Sequence, residues 1–460
     1  MRGRQAFFGF IIAAAAGLSA LPARAQTLAD ALIAAYRNSN LLDQNQALLR
    51  AADEDVAVAV ARLRPIINFA IQTTYSSGDR EGLFGGVQFQ ENLNTSAALT
   101  ANVTLYDFGR SALGIEIAKE SVLATREALV NVEQQVLLAA VQAYVNVRLA
   151  TALVELRESN VRLVTQELRA AQDRFDVGEV TRTDVALAEA QLAAARANLA
   201  GAQGDLAVAR EGYKAAVGAY PGALAPLPPS PRLPASLEEA QGIAVRLQPQ
   251  ILQAQRNVRV GELSTAAAQA EGRPTIDLST TARQSQGGLG DQSVTLQLGQ
   301  TLYSGGQIAS GYRRAVAQQE AARSGLLQTV VQVEQAVGNA WSNLIVSRAQ
   351  IDATGRQIEA AQIAFDGLRE EATLGARTTL DVLDAEQDLL NARVDRLNAE
   401  ASRDLGVYSL LQAMGLLTAQ HLRLGIPTYD PAAYYNAVKN APIHTPQGAA
   451  LDRILKSIGN

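Results

Sequence analysis

Three carboxylates in the second half of the chain are spaced so that they could act together. Asp381, Asp384 and Asp388 lie at positions i, i+3 and i+7, which places them on one stripe of an α-helix. A row of fixed carboxylates favours cations over anions. The alternative is an ordinary solvated helix face, and the stripe alone does not decide between the two.

The sequence shows no residues arranged for catalysis or cofactor binding. Its two histidines, His421 and His444, lie late in the chain, and neither is near a plausible nucleophile or a metal-spaced cluster. Cysteine is absent, so neither a disulfide nor a thiolate site is available. The glycine-rich run at 287–290 lies between two predicted strands and is interpreted as a hairpin turn, not as a phosphate-binding loop. We therefore predict that the chain is not an enzyme and holds no cofactor and no metal.

The N-terminus has the pattern of a secretory signal peptide. Arg2 and Arg4 precede an apolar, alanine-rich stretch from Ala6 to Leu21, and Ala23-Arg24-Ala25 fits an A-x-A cleavage site. A membrane anchor is the alternative, but the apolar stretch falls short of the about 20 residues that a helical span needs. Residues 1–25 are therefore predicted to be removed.

The mature chain is acidic. Removal of the three arginines in the signal changes the formal charge from −5 to −8. This charge argues against nucleic acid as a partner. After the signal, no long uninterrupted apolar run remains, so no transmembrane helix is predicted.

The chain contains two copies of one structural unit. Leu105-Tyr106-Asp107-Phe108-Gly109 resembles Leu302-Tyr303-Ser304-Gly305-Gly306 at an offset of 197 residues. Arg64-Pro65 matches Arg273-Pro274 at an offset of 209, so the first copy is 12 residues longer in between. Six of the 14 prolines fall in residues 220–234, which predicts an extended linker between the copies. The predicted divisions are a first repeat at 26–220, a linker at 221–235, a second repeat at 236–417 and a C-terminal tail at 418–460.

Each copy is predicted to contain a long helical hairpin. Apolar residues from Val136 to Val154 are separated by four and three residues in turn, as in a coiled-coil seam. The pattern predicts helices from Ser111 to about Phe175 and from Ile308 to about Thr373. Glycine then ends each helix, at Gly178 and Gly375, and threonine and aspartate residues follow to cap a return helix. At about 1.5 Å per residue each long helix spans roughly 95 Å, so it needs lateral partners.

Four other segments alternate between apolar and polar residues, as amphipathic strands do. They are residues 67–72, 95–106, 276–279 and 294–303. The longest run of about ten residues matches a tilted membrane-spanning strand. A hairpin on a soluble sheet would explain one pair alone, but two hairpins behind a signal peptide favour a barrel. Its predicted lipid-facing residues are Leu99, Val103, Leu296 and Leu298.

One chain cannot supply a complete barrel. Four strands cannot enclose an open bore, and unpaired strand edges are not tolerated in lipid. The barrel must therefore be shared between subunits. Three copies would provide 12 strands and 12 hairpin helices.

The duplicated tip segments carry a resemblance to a known family. They are Arg174-Phe175-Asp176-Val177-Gly178 with Thr183-Asp184, and Leu374-Gly375-Ala376-Arg377-Thr378-Thr379-Leu380-Asp381-Val382-Leu383-Asp384-Ala385. Together with the strand-to-helix junctions at Tyr106 and Tyr303, they are similar to those of the TolC family of outer-membrane exit ducts. The resemblance extends from Leu28 to about Leu417.

The resemblance implies a mainly α fold with a membrane β-barrel. A homotrimer would form a 12-stranded barrel in outer-membrane lipid above a long α-helical tunnel in the periplasm. The duct would be a passive exit for substrates delivered by an inner-membrane transporter, of the ABC or RND type, and a periplasmic adaptor. Type I protein secretion and multidrug efflux use the same duct, because the inner-membrane partner selects the cargo; of the two we favour type I secretion.

The resemblance also assigns roles to residues near the hairpin tips. Asp381 and Asp384 would line the periplasmic constriction, and Arg377 would latch the closed tip by pairing with Thr183 and Asp184 of a neighbouring helix. The adaptor is predicted to contact four tip residues: Val177, Gly178, Leu374 and Gly375. One position departs from the family pattern, because Ala372 stands where a tyrosine is expected.

The duplication supports a special role for the acids of the second tip. Asp384 corresponds to Leu187 of the first repeat and Asp388 to Gln191, so the first hairpin lacks these acids. The main competing interpretation of the whole chain is a soluble periplasmic coiled-coil scaffold or adaptor. It explains the helices and the signal peptide but not the strands. A secreted hydrolase, the third possibility, has no residues to support it.

Overall fold

The computed structural model describes residues 25–81, 85–286, 288, 290–441 and 453. The signal-peptide prediction therefore falls almost entirely outside the described residues, as do His444 and two residues of the glycine-rich turn. The helices are α1 Leu28–Arg37, α2 Asn40–Ala61, α3 Arg110–Asp176, α4 Arg182–Val217, α5 Leu237–Leu247, α6 Pro249–Ala270, α7 Gln307–Thr373, α8 Thr379–Ala413 and α9 Pro431–Val438. The strands are β1 Ile66–Glu81, β2 Val87–Tyr106, β3 Thr275–Ser285 and β4 Gly290–Gly299.

The two long helices dominate the molecule. Helices α3 and α7 each have 67 residues, which corresponds to about 100 Å at about 1.5 Å per residue. Each pairs with its return helix, α4 or α8, in an antiparallel hairpin. Both long helices begin after a glycine with positive φ, Gly109 or Gly306, directly after the strand region. The predicted helix limits agree with these bounds to within one residue.

The main hydrophobic core lies around the middle of the long helices. Short helices α1 and α5 pack there against α3 and α7, and burial of their apolar faces encloses Tyr144 and Tyr213 completely. The Tyr144 hydroxyl donates to the carbonyl oxygens of Gln26, at 3.0 Å, and Ala225, at 2.6 Å. This side chain therefore joins the start of the described chain to the proline-rich segment between the repeats.

Helices α2 and α6 extend the helical layer from this core towards the strands, packing beside α3 and α7. The short helix α9 lies on α2, where the Tyr434 hydroxyl donates to Glu54 at 2.8 Å. Asp53 is fully buried beside this contact, and both of its carboxylate oxygens lack a hydrogen-bond partner. Burial raises the pKa of Asp53 to about 6, although the nearby Arg126 guanidinium opposes the shift.

The four strands form one antiparallel sheet in the order β1-β2-β3-β4. The register collects most of the large apolar residues of the four strands on one face, since directly paired residues share a face. Phe69 pairs with Leu99, which pairs with Ala282, and Val103 pairs with Leu278, which pairs with Leu296. The opposite face carries rows of polar residues such as Asn68, Thr100 and Thr281. The predicted alternation is confirmed, and so is the predicted fold class.

The strands differ from the prediction in three details. Strand β4 ends at Gly299, so Leu302 and Tyr303, which were predicted to continue it, lie in the loop before α7 and are about nine-tenths exposed. A register shift after Thr104 places Tyr106, and not Leu105, opposite Ile276. Strands β1 and β2 pair over 16 residues, whereas β3 and β4 pair over ten, so the additional residues of the first repeat lengthen its hairpin.

Helix α3 is long and apolar enough to cross a membrane, judged by length and composition alone. No transmembrane helix is predicted from the sequence, and the packing of α3 explains the difference. Its apolar residues around Val141 are buried against the neighbouring helices of the core. These residues of α3 contribute to the main hydrophobic core.

Candidate gate at the helical hairpin tips

Both hairpins turn through the same backbone arrangement. At the first tip, the Gly178 amide donates to the Phe175 carbonyl and the Glu179 amide donates to the Arg174 carbonyl, each at 2.9 Å. At the second tip, the Gly375 amide donates to the Ala372 carbonyl at 3.2 Å, and the Ala376 amide donates to the Glu371 carbonyl. These bonds form a Schellman motif, which satisfies the last carbonyls of a helix.

Each tip turns at a glycine whose backbone conformation other residues adopt only with strain. The φ angles of Gly178 and Gly375 are +80° and +74°, in the left-handed region that favours glycine. A Cβ atom at either position would meet nothing within 4 Å, so the space beside both tips is open. The preceding side chains project into solvent, with Val177 72% and Leu374 84% exposed. The four residues predicted to contact the adaptor thus form two exposed apolar tips.

The return helices start at capping boxes. The Thr181 amide and hydroxyl donate to Asp184 Oδ2 at 2.9 and 2.7 Å, and the corresponding Thr378 groups donate to Asp381 Oδ2 at 3.0 and 2.8 Å. Hydrogen bonds from the threonine side chain and backbone lower the pKa of Asp184, and bonds from the Thr378 backbone and hydroxyl lower the pKa of Asp381. Both carboxylates therefore remain ionised well below neutral pH. Thr183 lies in the first turn of α4 and is exposed.

Arg377 is paired within its own hairpin. Its Nε donates to Glu371 Oε2 at 2.8 Å, and both side chains are half exposed. The chain does not bring Arg377 into contact with Thr183 or Asp184. The predicted latch joins neighbouring helices, and with two hairpins in each subunit its partners can belong to another subunit. The latch therefore stays a prediction, and Glu371 competes with Thr183 and Asp184 for the Arg377 guanidinium.

The acidic stripe lies on the solvent side of α8. Asp384 and Asp388 are exposed, whereas Val382, Leu383 and Leu389 of the same turns are buried. Asp381 continues the stripe at the start of the helix, with its carboxylate held by the capping box. The arrangement presents fixed negative charge on the side of α8 that faces away from the packed core.

Two contacts between the hairpins are not evident from the sequence. The Arg174 guanidinium of α3 donates to the Ala372 carbonyl at the end of α7, at 3.3 Å. Higher up, Asn160 Nδ2 of α3 donates to Glu386 Oε1 of α8 at 2.7 Å. An arginine in the last turn of a helix, such as Arg174, is a weak sequence signal that its side chain caps a carbonyl. The buried pair of Asn160 and Glu386 leaves no pattern in the neighbouring sequence that would predict it.

The described residues contain no group of three or more His, Cys, Asp or Glu side chains that could hold a metal ion. His421 is exposed, and its backbone amide bonds to Thr418 at 3.2 Å. The capping boxes of the two tips repeat one geometry, which the Thr27–Asp30 pair at the start of α1 also adopts.

Comparison with known proteins places these features in a family. The sequence matches the family model described as outer membrane efflux protein over residues 31–219 and 243–416. It is 33% identical to the outer membrane efflux protein BepC of Brucella suis biovar 1, across 94% of this chain and 95% of that protein. It is 27% identical to the outer membrane protein TolC of Escherichia coli K12, across 88% and 86% of the two chains. The crystal structure of the outer membrane protein VceC of Vibrio cholerae matches the fold with a TM-score of 0.73, at 21% identity over 84% of this chain and 96% of that one.

Proposed function

We propose, from the premise that this chain belongs to the outer membrane efflux protein family, that three copies form one channel with a shared barrel and tunnel. The family predicted from the sequence is confirmed, and so are the function as an outer-membrane efflux or secretion protein and the location in the outer membrane. The relatives are channel proteins and not enzymes. The scaffold alternative is not favoured.

The open sheet carries the proposal of a shared barrel. Strands β1 and β4 are its two outer strands, and each has one edge that pairs with no other strand among the described residues. Lipid cannot satisfy these groups, so another copy must pair with each edge. Three copies give 12 strands, which is within the range of membrane barrels.

The internal duplication predicts the register between subunits. The β4 edge of one subunit should meet the β1 edge of the next as β2 meets β3 within the chain. Ser96 pairs with Ser285 in the β2–β3 ladder. Applying the two repeat offsets to this pair predicts that Ser293 of one subunit lies opposite Ser76 of its neighbour.

Cysteine cross-linking tests this closure in a chain without native cysteine. Within one chain β1 and β4 are separated by three strand spacings, about 14 Å at about 4.8 Å each, which no disulfide can bridge. Ser76→Cys combined with Ser293→Cys should therefore give covalent trimers on oxidation in the outer membrane. The matched control, Ser96→Cys with Ser285→Cys, should give a bond within one chain and only monomers in denaturing gels. Monomers from both pairs would refute the shared barrel.

The tips supply the proposed gate. Asp381 and Asp384 of three subunits would place six carboxylates around the bore at the periplasmic end, where they favour cations. Arg377 would hold the tips closed through Thr183 and Asp184 of a neighbouring hairpin. The observations that support this are the exposed acidic stripe of α8 and the position of Arg377 directly before the capping box.

The exposed tips are the proposed docking points for the periplasmic adaptor. Val177 and Leu374 offer apolar contact, and the adjacent glycines allow a partner backbone to approach closely. An inner-membrane transporter would deliver the substrate, and the channel itself would provide passive exit. Both protein secretion and small-molecule efflux fit this arrangement, because the inner-membrane transporter would select the cargo.

A further inference from the structure

A buried polar group joins the two hairpins of one chain above the tips. Asn160 and Glu167 of α3 and Glu386 of α8 are 8%, 7% and 3% exposed. Asn160 Nδ2 donates to Glu386 Oε1 at 2.7 Å, and Arg369 Nε of α7 pairs with Glu167 Oε1 at 3.2 Å. Glu386 Oε2 has no hydrogen-bond partner. We refer to these four side chains as the seam cluster.

The seam cluster lies close to the proposed gate. Glu386 is eight residues beyond Thr378, so it is about 12 Å along α8 from the tip at about 1.5 Å per residue. Apolar contacts continue the same seam towards the tip, where Ala171 of α3, Ala188 of α4 and Leu383 of α8 pack together. Any separation of the two hairpins near the tip must expose this group to water.

The seam cluster holds two acids and one base. Glu167 of α3 carries the same charge as Glu386 and repels it. Arg369 of α7 attracts the Glu386 carboxylate, but its side chain is half exposed and forms its ion pair with Glu167. Helix α4 reaches α8 nearby through Gln191, whose amide bonds Gln387 at 3.3 Å. Burial raises the pKa of the Glu386 carboxyl to about 7; the Asn160 amide and Arg369 oppose this shift, and Glu167 adds to it.

We propose that Glu386 is a positioning residue of the gate, whose protonated form holds the two hairpins together and whose ionised form favours their separation. A neutral Glu386 can accept from Asn160 and keep its second oxygen uncharged in the seam. An ionised Glu386 leaves a negative oxygen without a partner beside Glu167. The proposal rests on the proposed gate at the tips, and it adds a control by the pH of the periplasmic side.

The direction follows from proton linkage. The packed seam has the raised pKa of about 7, and a solvated glutamate has the ordinary value of 4.5. The packed seam therefore binds the proton more tightly, and its stabilisation by protonation is complete below pH 4.5 and lost as the pH rises through about 7. If the carboxylate became fully solvated on separation, the opening equilibrium of each subunit would change by at most about 300-fold over this interval.

Conductance in planar bilayers, with the pH varied from 5 to 8.5 on the periplasmic side, tests the proposal on the full-length assembled channel. The parent should conduct more as the pH rises from 6 to 8. Glu386→Gln, a neutral residue of the same shape, should stay at the low-pH level throughout. Asp388→Asn, which removes an exposed acid two residues further along α8, should retain the pH midpoint of the parent.

A separate arm distinguishes failure of this proposal from failure of the gate. Arg377→Ser should conduct more than the parent at every pH if the tips form the gate. If it does so while Glu386→Gln follows the pH profile of the parent, the seam cluster has no such role. If Arg377→Ser leaves conductance unchanged, the gate itself is refuted.

Hydrogen exchange of the parent protein gives a reading that does not depend on any variant. Amide protection in residues 156–176 of α3 and 379–392 of α8, corrected for intrinsic exchange rates, should fall between pH 6 and 8. Asn160→Asp, which places another carboxyl against Glu386, should move this transition to higher pH. Protection that is independent of pH would overturn the proposal even if Glu386→Gln failed to assemble.

Discussion

An arginine on the apolar face of the sheet should prevent stable insertion, and Leu99 is the most informative position for it. Tyr106 ends β2 and marks the periplasmic side of the apolar face. Leu99 lies seven residues from it, which at about 3.3 Å per residue and a tilt of about 40° is roughly 18 Å along the membrane normal. In an apolar band about 25 Å tall, Leu99 is therefore within about 5 Å of mid-height.

The cost of this substitution follows from the depth. Arginine facing lipid near the midplane costs about 2–4 kcal/mol. A trimer carries the substitution three times, so the assembled barrel should lose about 6–12 kcal/mol. Leu99→Arg should accordingly reduce the amount of trimer in the outer membrane by more than tenfold, as measured by semi-native electrophoresis of membrane fractions.

The neighbouring residue provides the matched control. Thr100 lies on the opposite, polar face, where it pairs with Asn68 and Thr281. In the proposed barrel the side chain at position 100 faces the water-filled bore, so Thr100→Arg should assemble at nearly the parent level. Equal assembly of Leu99→Arg and Thr100→Arg would refute the assignment of the apolar face to lipid.

Four further predictions concern the tips and a buried acid of helix α2. Arg377→Ser should raise single-channel conductance without loss of trimers, because a solvent-exposed ion pair such as Arg377–Glu371 contributes little to stability. Asp384→Ala should reduce the cation selectivity, measured as the reversal potential, and should also reduce the block by trivalent cations added from the periplasmic side. An unchanged reversal potential would show that the acidic stripe is an ordinary solvated helix face. Gly375→Trp should abolish export while trimers stay intact. The control Gly375→Ala adds only about 1 kcal/mol of backbone strain and should still export well. Equal export by the two variants would exclude a close contact between this tip and the adaptor. Asp53→Asn should raise the Tm at pH 7.5, because the buried Asp53 carboxyl, with its raised pKa of about 6, is ionised at that pH. The gain in Tm should vanish below pH 4, where the Asp53 carboxyl is neutral. A gain in Tm that is independent of pH would mean that the charge of Asp53 is not its cause.

The long hairpins could be predicted because their signals are local. A heptad pattern without proline defines α3 and α7, and glycine followed by a capping box ends each hairpin at its tip. The alternation of residues around Leu99 and Leu296 likewise determines the face of each strand. These features depend on residues that are neighbours in sequence, so one sequence suffices to find them.

The features that the sequence analysis missed depend on distant contacts. The end of β4 at Gly299 and the register shift at Tyr106 are set by strand pairing, which a period of two does not reveal. The bond between Asn160 and Glu386 joins residues 226 positions apart, and each alone fits an ordinary polar position of a helix. The partners of Arg377 in the latch belong to the packing of neighbouring hairpins, and this prediction stays open.

The mass of the protein extracted from the outer membrane in mild detergent shows whether three chains share one barrel. Because the sheet has two open edges and lipid offers them no hydrogen bonds, we expect a particle of three mature chains and no stable smaller species. Native mass spectrometry after stepwise removal of detergent measures this stoichiometry. A monomer that remains folded and correctly inserted in the outer membrane would contradict both the shared barrel and the tunnel.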